Sequence, residues 1–174
     1  RRETRALLTG TRSLLEHQDF KLAGEQISRE CQKLVASKAV CIVLLADSGL
    51  APVGHMVGNI QGELIEQMPG LQSHIEQVRQ DGDIRKVRHT LQGSSFEGQE
   101  HNLLLVPVTW NQNVVACLCL LKDDGPFADA DIRMASAFAE LAAISLRNSS
   151  NLDRMVKLAA AVEQSGEGVV ITDS

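Results

Sequence analysis

Two apolar runs separated by a short asparagine-rich turn constrain the fold of this 174-residue chain more than any other feature. Residues 102–110 (Asn-Leu-Leu-Leu-Val-Pro-Val-Thr-Trp) precede the turn Asn111-Gln112-Asn113, and residues 114–121 (Val-Val-Ala-Cys-Leu-Cys-Leu-Leu) follow it. Asparagine tolerates the left-handed backbone that a tight hairpin requires. We therefore predict a β-hairpin whose two strands lie in the core.

The amino-terminal half predicts a helix followed by a second pair of strands. Asp19 can cap a helix over Asp19–Ser37, because apolar residues recur there at steps of three or four. Residues 39–45 are an unbroken apolar run, which predicts a strand buried on both faces. Leu50–Val57 predicts the next strand, and Asp47-Ser48-Gly49 predicts the turn between the two.

The middle of the chain is less regular. Gly62–Met68 and Leu71–Gln80 predict short helices, separated by Pro69-Gly70, which cannot continue a helix smoothly. Ile84–Thr90 predicts a short basic edge strand. Leu91–Glu100 contains several glycines and serines and predicts a mobile loop.

A long helix begins near Phe127 and shows no stop signal before Gly166. At 1.5 Å per residue, a helix over 127–165 is about 58 Å long, so part of it must project from a domain of this size. Its apolar and small residues follow alternating steps of three and four, which is the seam of a coiled coil. We therefore expect a parallel homodimer that also uses an amino-terminal helix. The expected interface residues are Leu7, Leu14, Phe138, Leu141, Leu152, Met155, Ala159 and Val162.

Composition excludes several classes of function. The net charge is −5 and aromatic residues make up 3% of the chain, so nucleic acid is not an expected partner. No apolar run reaches the length of a membrane span, and no signal peptide opens the sequence. The four cysteines stand among apolar residues without C-x₂-C spacing, which favours reduced thiols in a cytoplasmic protein.

The order of elements resembles a GAF domain over residues 18–147. The resemblance is most specific in four stretches: Leu105-Val-Pro-Val108, Val115–Leu121, Gly125–Asp131 and Leu141-Ala-Ala-Ile144. Ala116 stands where the family often has glycine. The resemblance implies an α/β (α+β) fold with a central antiparallel sheet. Helices Asp19–Ser37 and Phe127–Arg147 would cover one face, and short helices and a loop the other. The expected core comprises Ile27, Leu34, Cys41, Val43, Leu45, Leu104, Val106, Val108, Val115, Cys117, Leu118, Leu120, Phe138, Leu141 and Ile144.

A second resemblance lies at the end of the chain, where Leu158–Asp173 is similar to the opening of a PAS domain. The chain also begins without Met, so we expect it to be part of a longer protein. The expected organisation is a linker helix (1–17), the GAF domain (18–147), a signalling helix (148–166) and the start of a PAS domain (167–174). GAF followed by PAS is typical of bacterial sensor histidine kinases and of cyclic-di-GMP enzymes with GGDEF or EAL output domains.

The resemblance also implies a small-molecule pocket on the sheet face away from the terminal helices. His55, His74 and His89 lie in segments that line this cavity in GAF folds, and Arg88 belongs to a basic stretch beside it. That stretch could attract an anionic ligand. The alternative is that its charges only prevent edge-to-edge strand pairing. The cofactor stays open, because the Cys-His pair of bilin-binding relatives and the Asn-Lys-x-Phe-Asp-Glu motif of cyclic-nucleotide-binding relatives are both missing.

Three functional hypotheses follow. No motif for catalysis or for a metal site is present, so the first is a non-catalytic sensory domain that binds a small molecule and signals through its helices. The second is a structural dimerisation spacer without a ligand. The third is a redox or metal sensor built on the cysteines, since Cys117 and Cys119 face the same side of one strand.

Overall fold

Five antiparallel strands form one sheet in the order β2-β1-β5-β4-β3. The computed structural model describes residues 20–45, 56–90 and 100–166. This architecture confirms the predicted α/β (α+β) class. In these ranges the strands are β1 (Ala39–Leu44), β2 (Met56–Ile60), β3 (Arg85–Thr90), β4 (Glu100–Trp110) and β5 (Asn113–Lys122). The helices are α1 (Phe20–Val35), α2 (Glu63–Glu66), α3 (Leu71–Asp81) and α4 (Asp129–Gly166).

The hairpin of β4 and β5 lies where the sequence predicts it. Its turn consists of Asn111 and Gln112, whose φ angles are 49° and 66°. Two successive positive φ angles match the right-handed twist of the flanking strands, and asparagine accepts this conformation with little strain. The turn residues therefore fix the register of the strands that form the centre of the sheet.

Most other predicted elements are confirmed within the described ranges. β1 is buried along its whole length, β3 is an edge strand, and the two short helices are present as α2 and α3. The second strand differs, because its described part is Met56–Ile60 rather than a segment ending at Val57. Asp19, the turn at residues 47–49 and residues 91–99 of the predicted loop Leu91–Glu100 lie outside the described residues, and Glu100 belongs to β4 instead of the loop.

Helices cover both faces of the sheet, and strand alternation divides the core into two layers. The layer under α1 and α4 is formed by Phe20, Ile27, Cys31, Val35, Val40, Ile42, Leu44, Leu104, Val106, Val108, Val115, Ala116, Leu118, Leu120, Phe127, Ala135, Phe138, Ala139, Ala142 and Leu146. The layer under α2 and α3 is formed by Ala39, Cys41, Val43, Leu45, Ile65, Met68, Ile75, Val78, Leu103, Leu105, Cys117, Cys119 and Leu121.

The predicted core is confirmed except at one position. Leu34 and Leu141 are half-buried and pack against the core, whereas Ile144 is wrong, because 48% of it is exposed. The buried residues Ala142 and Leu146 stand two positions on either side of Ile144. A step of two residues turns the side chain by about 200° around a helix. Ile144 therefore faces solvent, because Ala142 and Leu146 face the sheet.

The long helix α4 has about the predicted length, but its apolar residues do not form the predicted coiled-coil seam along one side. Phe138 is fully buried in the core of its own domain, so it is not available to a partner chain, and its assignment to the dimer interface is wrong. A heptad pattern drifts around a straight helix, and Phe138 and Val162 point about 120° apart. One end of the predicted seam therefore faces the sheet while the other faces solvent.

Among the described helices, none has both the length and the hydrophobicity of a membrane span.

Candidate functional site

Two of the predicted site residues meet between α3 and the edge strand β3. The ring centroids of His74 and His89 are 5.7 Å apart and the ring planes are tilted by 57°. Gly70 at the amino-terminal end of α3 has a φ of 69°, and an added Cβ there would lie 3.7 Å from Nε2 of His74. His89 shares its face of β3 with Val87, which packs on the core layer under α2 and α3. Strand alternation thus places His89 beside the helix that carries His74.

Arg88 is not part of this pair, which corrects the predicted lining. It follows Val87 and precedes His89, so its side chain points to the opposite face, the one covered by α1 and α4. Its cross-strand partner is Asn102, which lies in phase with Leu104 of the α1 and α4 layer. His55 lies outside the described residues.

A third histidine that the sequence did not single out stands next to this pair. His101 is the cross-strand partner of His89 and is 2% exposed. Its Nδ1 donates to Oδ1 of Asp123 at 2.6 Å, and Nζ of Lys38 donates to Oδ2 of the same carboxylate at 2.6 Å. Burial tends to raise the pKa of Asp123, but the hydrogen bonds from Lys38 and His101 outweigh it and lower the pKa below its usual value. Asp123 is therefore a carboxylate that fixes the His101 ring.

Two buried nitrogen atoms of β3 are left without a hydrogen-bond partner among the described residues. They are Nε2 of His89 and Nε of Arg85, which lie on the same face of the strand with Val87 between them. The guanidinium of Arg85 also binds Asp81, and this hydrogen bond lowers the pKa of Asp81. An unsatisfied buried polar atom is costly, so a polar ligand group that paired with Nε2 of His89 would be stabilised.

Apolar side chains from the two short helices limit where such a ligand can lie. Ile65 and Met68, at α2 and just after it, and Ile75 and Val78 on α3 pack against the strands of this face. These four side chains are at most 8% exposed. The candidate site is thus confined to the end of the face where His74, His89 and His101 stand.

The family comparison decides which fold family this arrangement belongs to. The family model of the GAF domain matches residues 21–146, which is well over half of the chain. The chain belongs to the GAF domain family. GAF domains are in general regulatory and not catalytic.

Solved GAF domains share the fold at low sequence identity. One, from a protein described as a sensor histidine kinase of Pseudomonas syringae pv. tomato, superposes with a TM-score of 0.61 at 14% identity and covers 89% of this chain and 92% of that chain. The GAF domain from an Acinetobacter phosphoenolpyruvate-protein phosphotransferase gives 0.59 at 14% identity, with coverages of 87% and 97%. The GAF-B domain of DevS from Mycobacterium smegmatis gives 0.56 at 21% identity, with coverages of 79% and 99%. A comparison with curated proteins finds no match.

Three of the four thiols of this GAF domain lie together under α2 and α3. Cys41 pairs with Cys119 across the strands, and Sγ of Cys119 lies 3.9 Å from Sγ of Cys117. Hydrogen bonding to these two neighbours and then burial raise the pKa of Cys119, and burial raises that of Cys31. Within residues 20–45, 56–90 and 100–166, no group of three His, Cys, Asp or Glu side chains is arranged to hold a metal ion. The cluster is therefore a set of buried, packed thiols.

Proposed function

We propose that this GAF domain is a sensory module that binds a small molecule beside His74 and His89 and transmits its state along α4. The continuity of α4 carries this proposal. The helix packs in the core as far as Leu146 and continues unbroken to Gly166, twenty residues later. A helix that is anchored in the sensing domain and extends beyond it can pass a change of packing to whatever follows.

The outward side of α4 supports a dimer. Ile144 and Val162 are exposed to 48% and 60%, and they stand eighteen residues apart, which is about five helical turns. They therefore project in one direction, and Leu158, 65% exposed, lies close to the same stripe. Leu22 on the neighbouring α1 is 48% exposed as well. Burying each such side chain in a partner would contribute about 1.5–3 kcal/mol before entropy is counted.

The proposed dimer interface therefore retains all but one of the residues predicted from the sequence and gains three others. Phe138 is removed because its own domain covers it, and Ile144, Leu158 and Leu22 are added. Leu141, Ala159 and Val162 remain, as do four residues whose side chains lie outside the described part of the chain: Leu7, Leu14, Leu152 and Met155. A parallel pair of helices would carry both following domains out at the same end.

The ligand chemistry follows from the atoms around the histidine pair. Each histidine can donate from a ring nitrogen, and Nε of Arg85 is a further donor on the same face of β3, four residues or about 13 Å from His89 along the strand. These groups favour a small molecule with an anionic group over a cation. Binding transmits a signal only if the ligand has a higher affinity for one of two packing arrangements of α4. A ligand with equal affinity for both would not shift the equilibrium between them.

The wider context is proposed from the chain's own resemblances. Residues 148–166 would be the signalling linker of a cytoplasmic bacterial protein, and residues 167–174 the start of a PAS domain. A histidine kinase or a cyclic-di-GMP enzyme would be the output. A sensor histidine kinase is among the proteins whose GAF domains share this fold.

Native mass spectrometry of the purified chain tests the ligand and the dimer in one measurement. We expect twice the chain mass together with a bound small molecule. His89→Ala should lose the small molecule, and Arg88→Ala, the adjacent residue on the opposite face, should retain it. Loss in both variants, or in neither, would contradict the proposed site.

A structural spacer without a ligand is the second candidate. The observation that favours it is the apolar packing of Ile65, Met68, Ile75 and Val78 over the face that would hold a ligand. Repeated absence of any bound mass, with the dimer intact, would select this function over the sensory one.

A further inference from the structure

A groove lies between α4 and the outer edge of β4, on the sheet face opposite the histidine pair. It has a volume of about 670 Å³ and is called the edge groove below. We propose that the edge groove is a second ligand site, and that its ligand is a small organic cation: an ammonium group on an apolar body. The lining residues are Gly82, Asp83, Ile84, Val106, Pro107, Thr109, Ser136, Ala139 and Glu140.

The groove exists because the edge strand is shorter than its neighbour. β3 begins at Arg85, opposite Leu105, whereas β4 continues to Trp110. In the described ranges no strand pairs with the outer side of β4 beyond Leu105. Gly82, with a φ of 70°, ends α3, and the residues after it form the far wall. Ala139 on α4 leaves room that a larger side chain would fill.

The charges of the edge groove are all of one sign. Asp83 and Glu140 line it from different elements, and both residues are exposed. Neither carboxylate forms an ion pair or a hydrogen bond with another described side chain. No Lys, Arg or His is among the lining residues. A cation that entered the groove would therefore interact with two carboxylates without displacing an existing partner.

Three potential hydrogen-bond donors of the groove are already used or are missing. The hydroxyl of Ser136 donates to the carbonyl oxygen of Ile132 at 2.8 Å, so its lone pairs remain for a donor. The backbone N–H of Asp83 donates to Asp81. Pro107 has no N–H, which removes a donor from the open edge of β4 and disfavours pairing with a further strand. At these three positions a ligand that donates hydrogen bonds fits better than one that accepts them.

The apolar floor of the groove favours an apolar body for the part of the ligand that carries no charge. Val106, Pro107 and Ala139 are apolar, and Ile84 at the rim is 40% exposed. The volume falls within the range of about 300–1,000 Å³ that is usual for small-molecule sites. An apolar body would cover this floor while its ammonium group lies between the two carboxylates.

A matched set of three probes tests the charge requirement on the whole chain. The ¹⁵N-labelled protein is titrated with phenethylamine, with 2-phenylethanol and with 3-phenylpropionate, which share an aromatic body but differ in charge. We expect saturable shifts of the amides of Val106, Thr109 and Glu140 with the amine. The alcohol should bind at least about tenfold more weakly, and the acid should cause no shift there. No binding of the amine, equal binding of the alcohol, or shifts confined to other residues would overturn the proposal.

Paired variants locate the charges that matter. The double variant Asp83→Asn, Glu140→Gln should lose about tenfold or more in affinity for phenethylamine. The double variant Glu63→Gln, Glu66→Gln removes the same charge from α2 and should bind like the unchanged chain. A well-dispersed spectrum shows that each variant is folded, and equal affinities of the two double variants would contradict the proposal. None of these outcomes depends on the histidine site.

Discussion

The Nδ1 atom of His101 donates a 2.6 Å hydrogen bond to Oδ1 of Asp123, and this contact joins the start of β4 to the turn before α4. Lys38 binds the other oxygen of the carboxylate, so the segment between α1 and β1 is tied to the same point. His101 in turn stands across the strands from His89. The network thus connects the candidate site to the beginning of the helix that leaves the domain.

Removing the Asp123 charge should destabilise the domain. Asp123→Asn removes the negative charge that pairs with Nζ of Lys38 and weakens the hydrogen bond to the buried His101, so we expect a loss of about 1–3 kcal/mol in the free energy of unfolding. Urea denaturation measures this change. Asp124→Asn, at the adjacent exposed position, is the control and should change the stability by less than about 0.5 kcal/mol. Equal effects of the two variants would show that the network contributes nothing.

The same carboxylate predicts a dependence on pH. Because the folded pKa of Asp123 is lowered, the unfolded chain takes up a proton first as the pH falls. The stabilisation is therefore complete above the unfolded value of about 3.9 and is lost as the pH falls through the folded pKa. The unchanged chain should lose more stability than Asp123→Asn in this acid range. Parallel curves for the two proteins would contradict the lowered pKa.

The hairpin turn offers a stabilising substitution. Gln112 has a φ of 66°, which glycine adopts without the strain of a side chain, so Gln112→Gly should raise the free energy of unfolding by about 0.5–1 kcal/mol. Asn113→Gly places glycine in β5 instead and should lower it. Thermal unfolding followed by circular dichroism distinguishes the two, and a destabilised Gln112→Gly would show that the turn geometry is wrong.

The buried thiols should not react in the folded protein. All four cysteines are buried, so we expect none of them to be modified by iodoacetamide until the chain is unfolded in urea. Mass spectrometry counts the modified residues. Rapid labelling of Cys41, Cys117 or Cys119 in the native chain would favour the redox hypothesis over the sensory one.

Local signals in the sequence were sufficient for most of the sheet. The β4–β5 hairpin was predictable because its turn residues and apolar strands agree, and β1 because a run buried on both faces has no polar interruptions. Arg88 was misplaced because the short strand β3 contains a single large apolar residue, Val87, to set the phase of its two faces. The packing of Val87 under α2 and α3 sets this phase and places Arg88 on the opposite face.

Other features depend on tertiary structure. His101 and Asp123 are 22 residues apart, and only the pairing of β4 with β5 brings them together. The predicted coiled-coil seam was wrong at Phe138, because a heptad pattern does not show which part of a helix is covered by its own domain. The assignment of Ile144 to the core was wrong for a related reason, since an apolar residue on a long helix can face a partner chain instead of the core.

The outward stripe of α4 is the central element of the proposed signalling role, and sedimentation equilibrium tests it most directly. The unchanged chain should sediment as a dimer at tens of micromolar, and Val162→Asp should be monomeric because a carboxylate would be buried against its counterpart. Ala160→Asp adds the same charge about 200° away around the helix and should remain dimeric. A monomeric unchanged chain, or a dimeric Val162→Asp, would contradict transmission through paired helices.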